Sequence, residues 1–135
     1  MSTVQIKTAT AADKGPAIRT ITQAFSADPA ARWMFPDAQR YRNLFPSFVV
    51  AFAGKAFDQG SAHCVSDGSG TALWLLPGIY PDETALVTLL EEILPVHDRG
   101  EVFALFEQMA RYHPEEPHWY LPIIGVEPAK QGYGY

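Results

Sequence analysis

Residues 118–135 read HWYLPIIGVEPAKQGYGY, and this stretch bears most directly on the fold. Its apolar first half, residues 118–126, predicts a β-strand that ends at Glu127 and Pro128. A glycine-rich loop follows at residues 131–135. Because glycine has no Cβ, such a loop lets the backbone approach an anion closely. A strand followed by this loop is therefore typical of a phosphate-binding turn.

Upstream of that stretch, the hydrophobic periodicity predicts three more strands and four main helices. The order β-α-α-β-β-α-α-β indicates an α/β (α+β) domain, in which helices flank a mixed, mostly antiparallel sheet. The loop 67–70, Asp-Gly-Ser-Gly, predicts a hairpin between two of the strands. The predicted strands are residues 4–8, 61–66 and 71–76; the helices start at Asp13 and at Asp37 and cover 82–94 and 101–112, with a further turn at 30–34.

Prolines and glycines predict where two of these helices break. Pro46 lies within the apolar stripe of the helix after Asp37, which predicts a kink or a restart there. Pro95 and the pair Arg99-Gly100 are expected to separate the last two helices.

Composition excludes several classes of function. The 135 residues predict a single domain, 1–135, and ten basic against fifteen acidic residues leave no basic footprint for nucleic acid. We expect no membrane span and no secretory signal, because no apolar run is long enough and the N-terminus lacks the pattern. The lone Cys64 favours a reducing, cytoplasmic location. It shows no ligand spacing with His63, His97 or His113, so no metal site is predicted.

The segment 118–135 resembles the cofactor-binding segment of the GCN5-related N-acetyltransferases, the GNAT family. That family's pattern is a strand ending in apolar-x-Val, a proline two residues on, and Gln/Arg-x-x-Gly-x-Gly/Ala opening a helix. Residues 124–128, Ile-Gly-Val-Glu-Pro, match the strand end, and residues 131–135, Gln-Gly-Tyr-Gly-Tyr, match five of the six signature positions. The sixth would be residue 136. The resemblance therefore implies the N-terminal portion of an acetyltransferase, inactive by itself.

The resemblance also implies the reaction and its residues. Acetyl-CoA would be the cosubstrate, and an unidentified primary amine on a small molecule or peptide would attack its thioester directly. Glu127, just past the strand, is a candidate general base, and a surface carboxylate without a catalytic role is the alternative. The implied cofactor-binding residues are Ile124, Gly125, Val126, Gln131, Gly132, Tyr133, Gly134 and Tyr135. The implied acceptor-binding residues are Asp28, Trp33, Phe35, Trp74 and Tyr80, although aromatic residues that pack helices together would give the same pattern.

Two further hypotheses stay open at this point. The chain can be a non-catalytic ligand-binding or protein-interaction module with a remnant CoA loop, and the residues encoded from position 136 onward would discriminate. The strand 118–126 carries no charged residue between Trp119 and Val126. Such an apolar strand at a sheet edge predicts a homo-oligomer. His118 lies at the opposite end of this strand from Val126, which makes it a poor partner for chemistry at Val126.

Overall fold

The computed structural model describes residues 5–133. Four strands form one sheet in the order β1-β2-β3-β4, and every neighbouring pair is antiparallel. The predicted fold class is confirmed, although the sheet in this part of the chain is entirely antiparallel rather than mixed. Val4, the predicted start of the first strand, lies outside the described residues. The strands are β1 Ile6–Thr8, β2 Ala62–Val65, β3 Gly70–Leu75 and β4 Tyr120–Val126.

The described part of the chain has six α-helices, and aspartates cap three of them. The Asp37 carboxylate accepts hydrogen bonds from the N–H groups of Gln39 and Arg40 at 2.7 and 3.1 Å. Asp13 differs from the expectation, because its carboxylate bonds back to Thr10 and closes a short 3₁₀ turn before the helix. The helices are α1 Lys14–Ala24, α2 Pro29–Met34, α3 Ala38–Ala53, α4 Lys55–Asp58, α5 Glu83–Ile93 and α6 Val96–Arg111.

One predicted helix break is wrong in position. At Pro46 the predicted restart is absent, and the predicted alternative, a kink, stays a prediction. Helix α3 continues through Pro46 without a restart. Around the proline, Tyr41, Phe45 and Phe48 stack with ring centroids 4.7 and 5.6 Å apart, and this packing outweighs the one backbone hydrogen bond that proline removes.

Helix α6 begins at Val96, five residues earlier than predicted, so only Leu94 and Pro95 separate it from α5. The Arg99 side chain donates to the carbonyl oxygens of Leu94 and Glu91 at the end of α5. This contact fastens the first turn of α6 to the helix before it. Gly100 lies inside α6 as a result.

The sheet has two unlike faces. In an antiparallel pair, directly opposite residues share a face, and the register places Leu73 opposite both Ala62 and Ile123. These three side chains are buried under the helices, on what we call the packed face. The register also places Ala72 opposite Ile124. Ile124 on this second face, the open face, is 54% exposed.

Candidate functional site

One long side of β4 is open. Within residues 5–133, β4 pairs only with β3, so it forms an edge of the sheet. The Glu127 N–H donates to the Ser69 carbonyl at 2.8 Å, which sets the alternation of the ladder. Counting back along β4, the backbone N–H and C=O groups of Gly125 point toward β3. Those of Ile124 and Val126 therefore point to the open edge.

The side chain of Gln131 gives independent evidence for that direction. Its Nε2 atom donates to the Val126 carbonyl oxygen at 3.0 Å, which requires this carbonyl to face away from β3. Two of the predicted cofactor-binding residues, Ile124 and Val126, thus present polar backbone groups where an extended ligand can pair with them.

Gly125 has a packing role. A Cβ at this position would lie 3.0 Å from the Cβ of Ala24 and 3.4 Å from the Cα of Ile21, so its absence lets α1 approach β4 closely. The backbone N–H and C=O of Gly125 point to Thr71 on β3. Gly125 therefore presents no polar group at the open edge for the predicted contact with the cofactor. The sequence pattern gave no sign of this helix contact.

The predicted phosphate loop begins with a 3₁₀ turn, Pro128–Lys130, directly after β4. Gly132 follows with φ +86°, a left-handed conformation that side chains with a Cβ rarely adopt. An added Cβ would meet no atom within 4 Å, so conformation rather than space requires glycine here. Tyr133 is exposed. Gly134 and Tyr135, also predicted to bind the cofactor, lie outside the described residues.

The β2–β3 turn supports the predicted phosphate loop, and the sequence did not predict this support. The Asp67 carboxylate accepts a hydrogen bond from the Ser69 N–H at 2.9 Å, and the Ser69 carbonyl holds the end of β4. The neighbouring Ser69, whose backbone N–H donates to the carboxylate, lowers the pKa of Asp67, and the charge of Lys130 adds to this effect. On the other side, the Thr20 hydroxyl of α1 donates to the Gly68 carbonyl at 2.7 Å. The glycine-rich turn was visible in the sequence, but its neighbours were not.

The predicted acceptor-binding residues differ in how far their side chains are buried. Phe35 is only 1% exposed and packs edge-on against Tyr41 and Phe45, so it belongs to the core and its predicted contact with an acceptor is not supported. Trp33 and Tyr80, by contrast, are large exposed side chains.

Asp28 and Trp74 have structural contacts. The Asp28 carboxylate accepts the Ala31 N–H at 2.9 Å and caps α2. The Trp74 backbone bonds to Ser61 in both directions, and its side chain is half-buried. No ring contact joins Trp33, Trp74 and Tyr80 to one another in the described part of the chain, so a common acceptor wall stays a prediction.

Glu127, the predicted base, is half-buried at the phosphate-loop end of β4. Its N–H bonds to Ser69, and its carbonyl accepts the Lys130 N–H at 2.8 Å. The backbone of Glu127 therefore joins the strand, the β2–β3 turn and the loop. Cys64 is buried on the packed face, and burial raises the pKa of its thiol.

Comparisons with known proteins bear on the fold. No family model matches the chain. The structure is similar to the crystal structure of a protein from Corynebacterium glutamicum that is named histone acetyltransferase HPA2 and related acetyltransferase. The TM-score is 0.61 at 24% sequence identity, and the match covers 98% of this chain and 65% of that chain. The chain thus has a GNAT-type fold and spans less than two thirds of that neighbour. No helix among residues 5–133 is long and apolar enough to cross a membrane.

Proposed function

We propose that this chain is part of an N-acetyltransferase that moves an acetyl group from acetyl-CoA to a primary amine on a small molecule or peptide. The observation that carries the proposal is the open edge of β4, where Ile124 and Val126 present backbone groups beside a loop that needs glycine at position 132. The acetyltransferase name of the structural neighbour supports the same reaction class.

The geometry suits both ends of acetyl-CoA. The pantetheine arm carries amide groups that can pair with a strand edge as a peptide does, so Ile124 and Val126 would bind it. The backbone N–H of Gly132 would receive the pyrophosphate, together with that of Gln131 once it leaves its long, 3.4 Å hydrogen bond to the Pro128 carbonyl. An arm that bonds to the Val126 carbonyl would displace the Gln131 amide, which then becomes available to the phosphates.

The reaction is a direct transfer. The neutral amine nitrogen attacks the thioester carbon, the C–N bond forms, the C–S bond breaks, and sulfur leaves with the bonding electrons. An outward N–H on β4 would stabilise the negative charge that develops on the carbonyl oxygen. Before the attack an ammonium group must lose a proton. Glu127 is the base that the sequence offers, although it lies at the phosphate-loop end of β4.

Two finer statements belong to this proposal. The chain by itself should turn over acetyl-CoA slowly or not at all, because it corresponds to 65% of the neighbouring acetyltransferase. The cytoplasm is the proposed location, since the lone thiol, Cys64, is buried and unpaired with another cysteine in the described residues.

Calorimetric titration of CoA into the natural protein that contains this sequence tests the assignment of the loop. The variant Gly132→Val should weaken CoA binding at least about tenfold, a loss of about 1.4 kcal/mol, because it forces the loop out of its left-handed conformation. Gly134→Val should act in the same direction.

The matched control is Gly60→Val. Gly60 also has a positive φ, +69°, and open space around its Cβ position, but it precedes β2 at the other end of the sheet. Similar losses of folding stability in both variants are expected, with loss of CoA affinity in Gly132→Val alone. Equal CoA affinities in the two variants would contradict the phosphate-loop assignment, and binding without any turnover would favour a ligand-binding module.

A further inference from the structure

A group of polar rings lies at the N-terminal end of β4, away from the phosphate loop. The ring centroids of His113 and Tyr120 are 4.6 Å apart, and those of His113 and His118 are 6.0 Å apart. His113 directly follows the C-terminal cap of α6, and Tyr120 is the first residue of β4. All three side chains are half-buried, so they are held in place and remain accessible.

The hydrogen bond of His118 defines its tautomer. Its Nδ1 atom lies 2.9 Å from the Glu116 carbonyl oxygen. A carbonyl oxygen only accepts hydrogen bonds, so Nδ1 carries the proton of the neutral ring and Nε2 carries the lone pair. His118 is thus oriented as a base whose proton-accepting atom is Nε2. This is how a backbone carbonyl commonly orients a catalytic or metal-binding histidine.

The next step rests on the proposed function. If the pyrophosphate lies at Gly132 and the arm contacts Val126 and then Ile124, the arm runs from the C-terminal toward the N-terminal end of β4. Its acyl end therefore approaches the end that carries Tyr120 and His118. His118 is far from Val126 along the chain, which argued against a role in chemistry at Val126. The same separation places His118 at the N-terminal end of β4, where the acyl group would meet the acceptor. Glu127 lies at the opposite, phosphate-binding end.

The charge around this end suits a cationic amine. Glu115 and Glu116 are exposed in the connection between α6 and β4, three and two residues before His118. Their carboxylates would attract an ammonium group to the point where it must be deprotonated.

We infer that His118 is the general base of the transfer and that the acceptor is a primary amine that arrives as an ammonium ion. Nε2 takes one proton from the ammonium group, directly or through one water molecule. The neutral amine then attacks the thioester, and the CoA sulfur leaves as a thiolate. The acetylated nitrogen loses its second proton, which the thiolate can take up, and His118 returns its proton to the solvent.

The test uses the natural protein with acetyl-CoA and two probe amines. n-Butylamine is an ammonium ion at neutral pH, whereas hydroxylamine is already neutral. The variant His118→Asn keeps a side-chain N–H for the Glu116 carbonyl but has no basic nitrogen. We expect kcat/KM for n-butylamine to fall about 10²-fold or more, with a much smaller loss for hydroxylamine and an unchanged KM for acetyl-CoA.

His97→Asn is the matched control. The His97 side chain is 80% exposed near the start of α6, far along the chain from β4, and this variant should behave as the wild type. Nitrogen-15 NMR of the wild-type imidazoles provides a second measurement. It should show the Nδ1-protonated tautomer for neutral His118.

The possible results separate the two proposals. A wild-type protein that acetylates neither amine overturns the proposed function and this inference with it. An active wild type with equal losses for both amines in His118→Asn, or with no loss, overturns the base assignment alone. So does a loss confined to n-butylamine in Glu127→Gln instead of His118→Asn, or an Nε2-protonated His118 in the NMR spectrum.

Discussion

Adjacent residues of strand β4 differ sharply in how far their side chains are buried. Ile123 is 7% exposed and packs under the helices, whereas its neighbour Ile124 is 54% exposed on the open face. Gly125 again faces inward, against Ile21 and Ala24, and Val126 faces outward. Because side chains and ladder hydrogen bonds both alternate along a strand, Ile123 and Gly125 stabilise the fold, whereas Ile124 and Val126 present polar backbone groups at the open edge.

The largest effect we expect comes from truncating the two isoleucines separately. Ile123→Ala removes a buried side chain and should lower the free energy of unfolding by about 2–5 kcal/mol. Ile124→Ala removes a side chain that is more than half exposed and should cost less than about 1 kcal/mol. Urea denaturation of both variants measures the difference. Equal losses would mean that the open face is covered in solution.

A second, smaller effect tests the inward position of Gly125. Gly125→Val inserts a side chain whose Cβ would lie 3.0 Å from the Cβ of Ala24, and overpacking of this kind costs about 1–3 kcal/mol. Gly100→Val is the comparison for glycine replacement, since Gly100 lies in α6 with no atom within 4 Å of an added Cβ. A Gly125 variant as stable as the Gly100 variant would contradict the close approach of α1 to β4.

The sequence predicted β4 but not its two roles. Between Trp119 and Val126 every residue is uncharged, so the hydrophobic pattern does not distinguish the face that packs from the face that stays open. Only the helices decide that, and which sheet face they cover depends on long-range contacts such as that between Ile21 and Gly125. The outward direction of Val126 likewise depends on a hydrogen bond between residues distant in sequence, Glu127 and Ser69.

The wrong predictions have the same physical origin. Pro46 and Gly100 are local helix-breaking signals, and tertiary contacts overrode both of them. Phe35 was assigned to an acceptor site because it lies in a loop between helices, yet the aromatic residues of α3 enclose it. The cap at Asp37, which depends on residues two and three positions away, was predicted because the whole interaction is local.

A third prediction concerns what covers the open side of β4. We propose that, in the absence of acetyl-CoA, two copies of this chain pair through the β4 edge, because Ile124 and Trp119 are exposed there and residues 119–126 carry no charge. Pro122 lacks an N–H and interrupts the pairing without removing the outward groups of Ile124 and Val126.

Sedimentation velocity over a range of concentrations tests this pairing. Ile124→Lys should weaken self-association about tenfold, about 1.4 kcal/mol, because two lysines would meet across the edge. Thr8→Lys, on the opposite edge strand β1, is the matched control and should leave the association unchanged. A wild-type chain that stays monomeric at high micromolar concentration would contradict the proposal.

The smallest effect we expect is on stability in acid. It concerns Asp37, whose carboxylate caps the N-terminus of α3 on the packed face of the sheet. Hydrogen bonds from the backbone N–H groups of Arg40 and Gln39 hold the pKa of Asp37 below its ordinary value of 3.8. The stability that this carboxylate contributes is therefore present above pH 3.8 and is lost as the pH falls through the lowered, folded-state pKa.

Asp37→Asn keeps an oxygen that can cap α3 but cannot titrate, so its unfolding midpoint should fall less steeply with acid than that of the wild type. Asp37→Ala removes the cap and should lower the midpoint at neutral pH as well. Urea unfolding of the three proteins between pH 7 and pH 3 makes the comparison, and an Asn variant as acid-sensitive as the wild type would show that other carboxylates, such as Asp13 and Asp67, carry the effect.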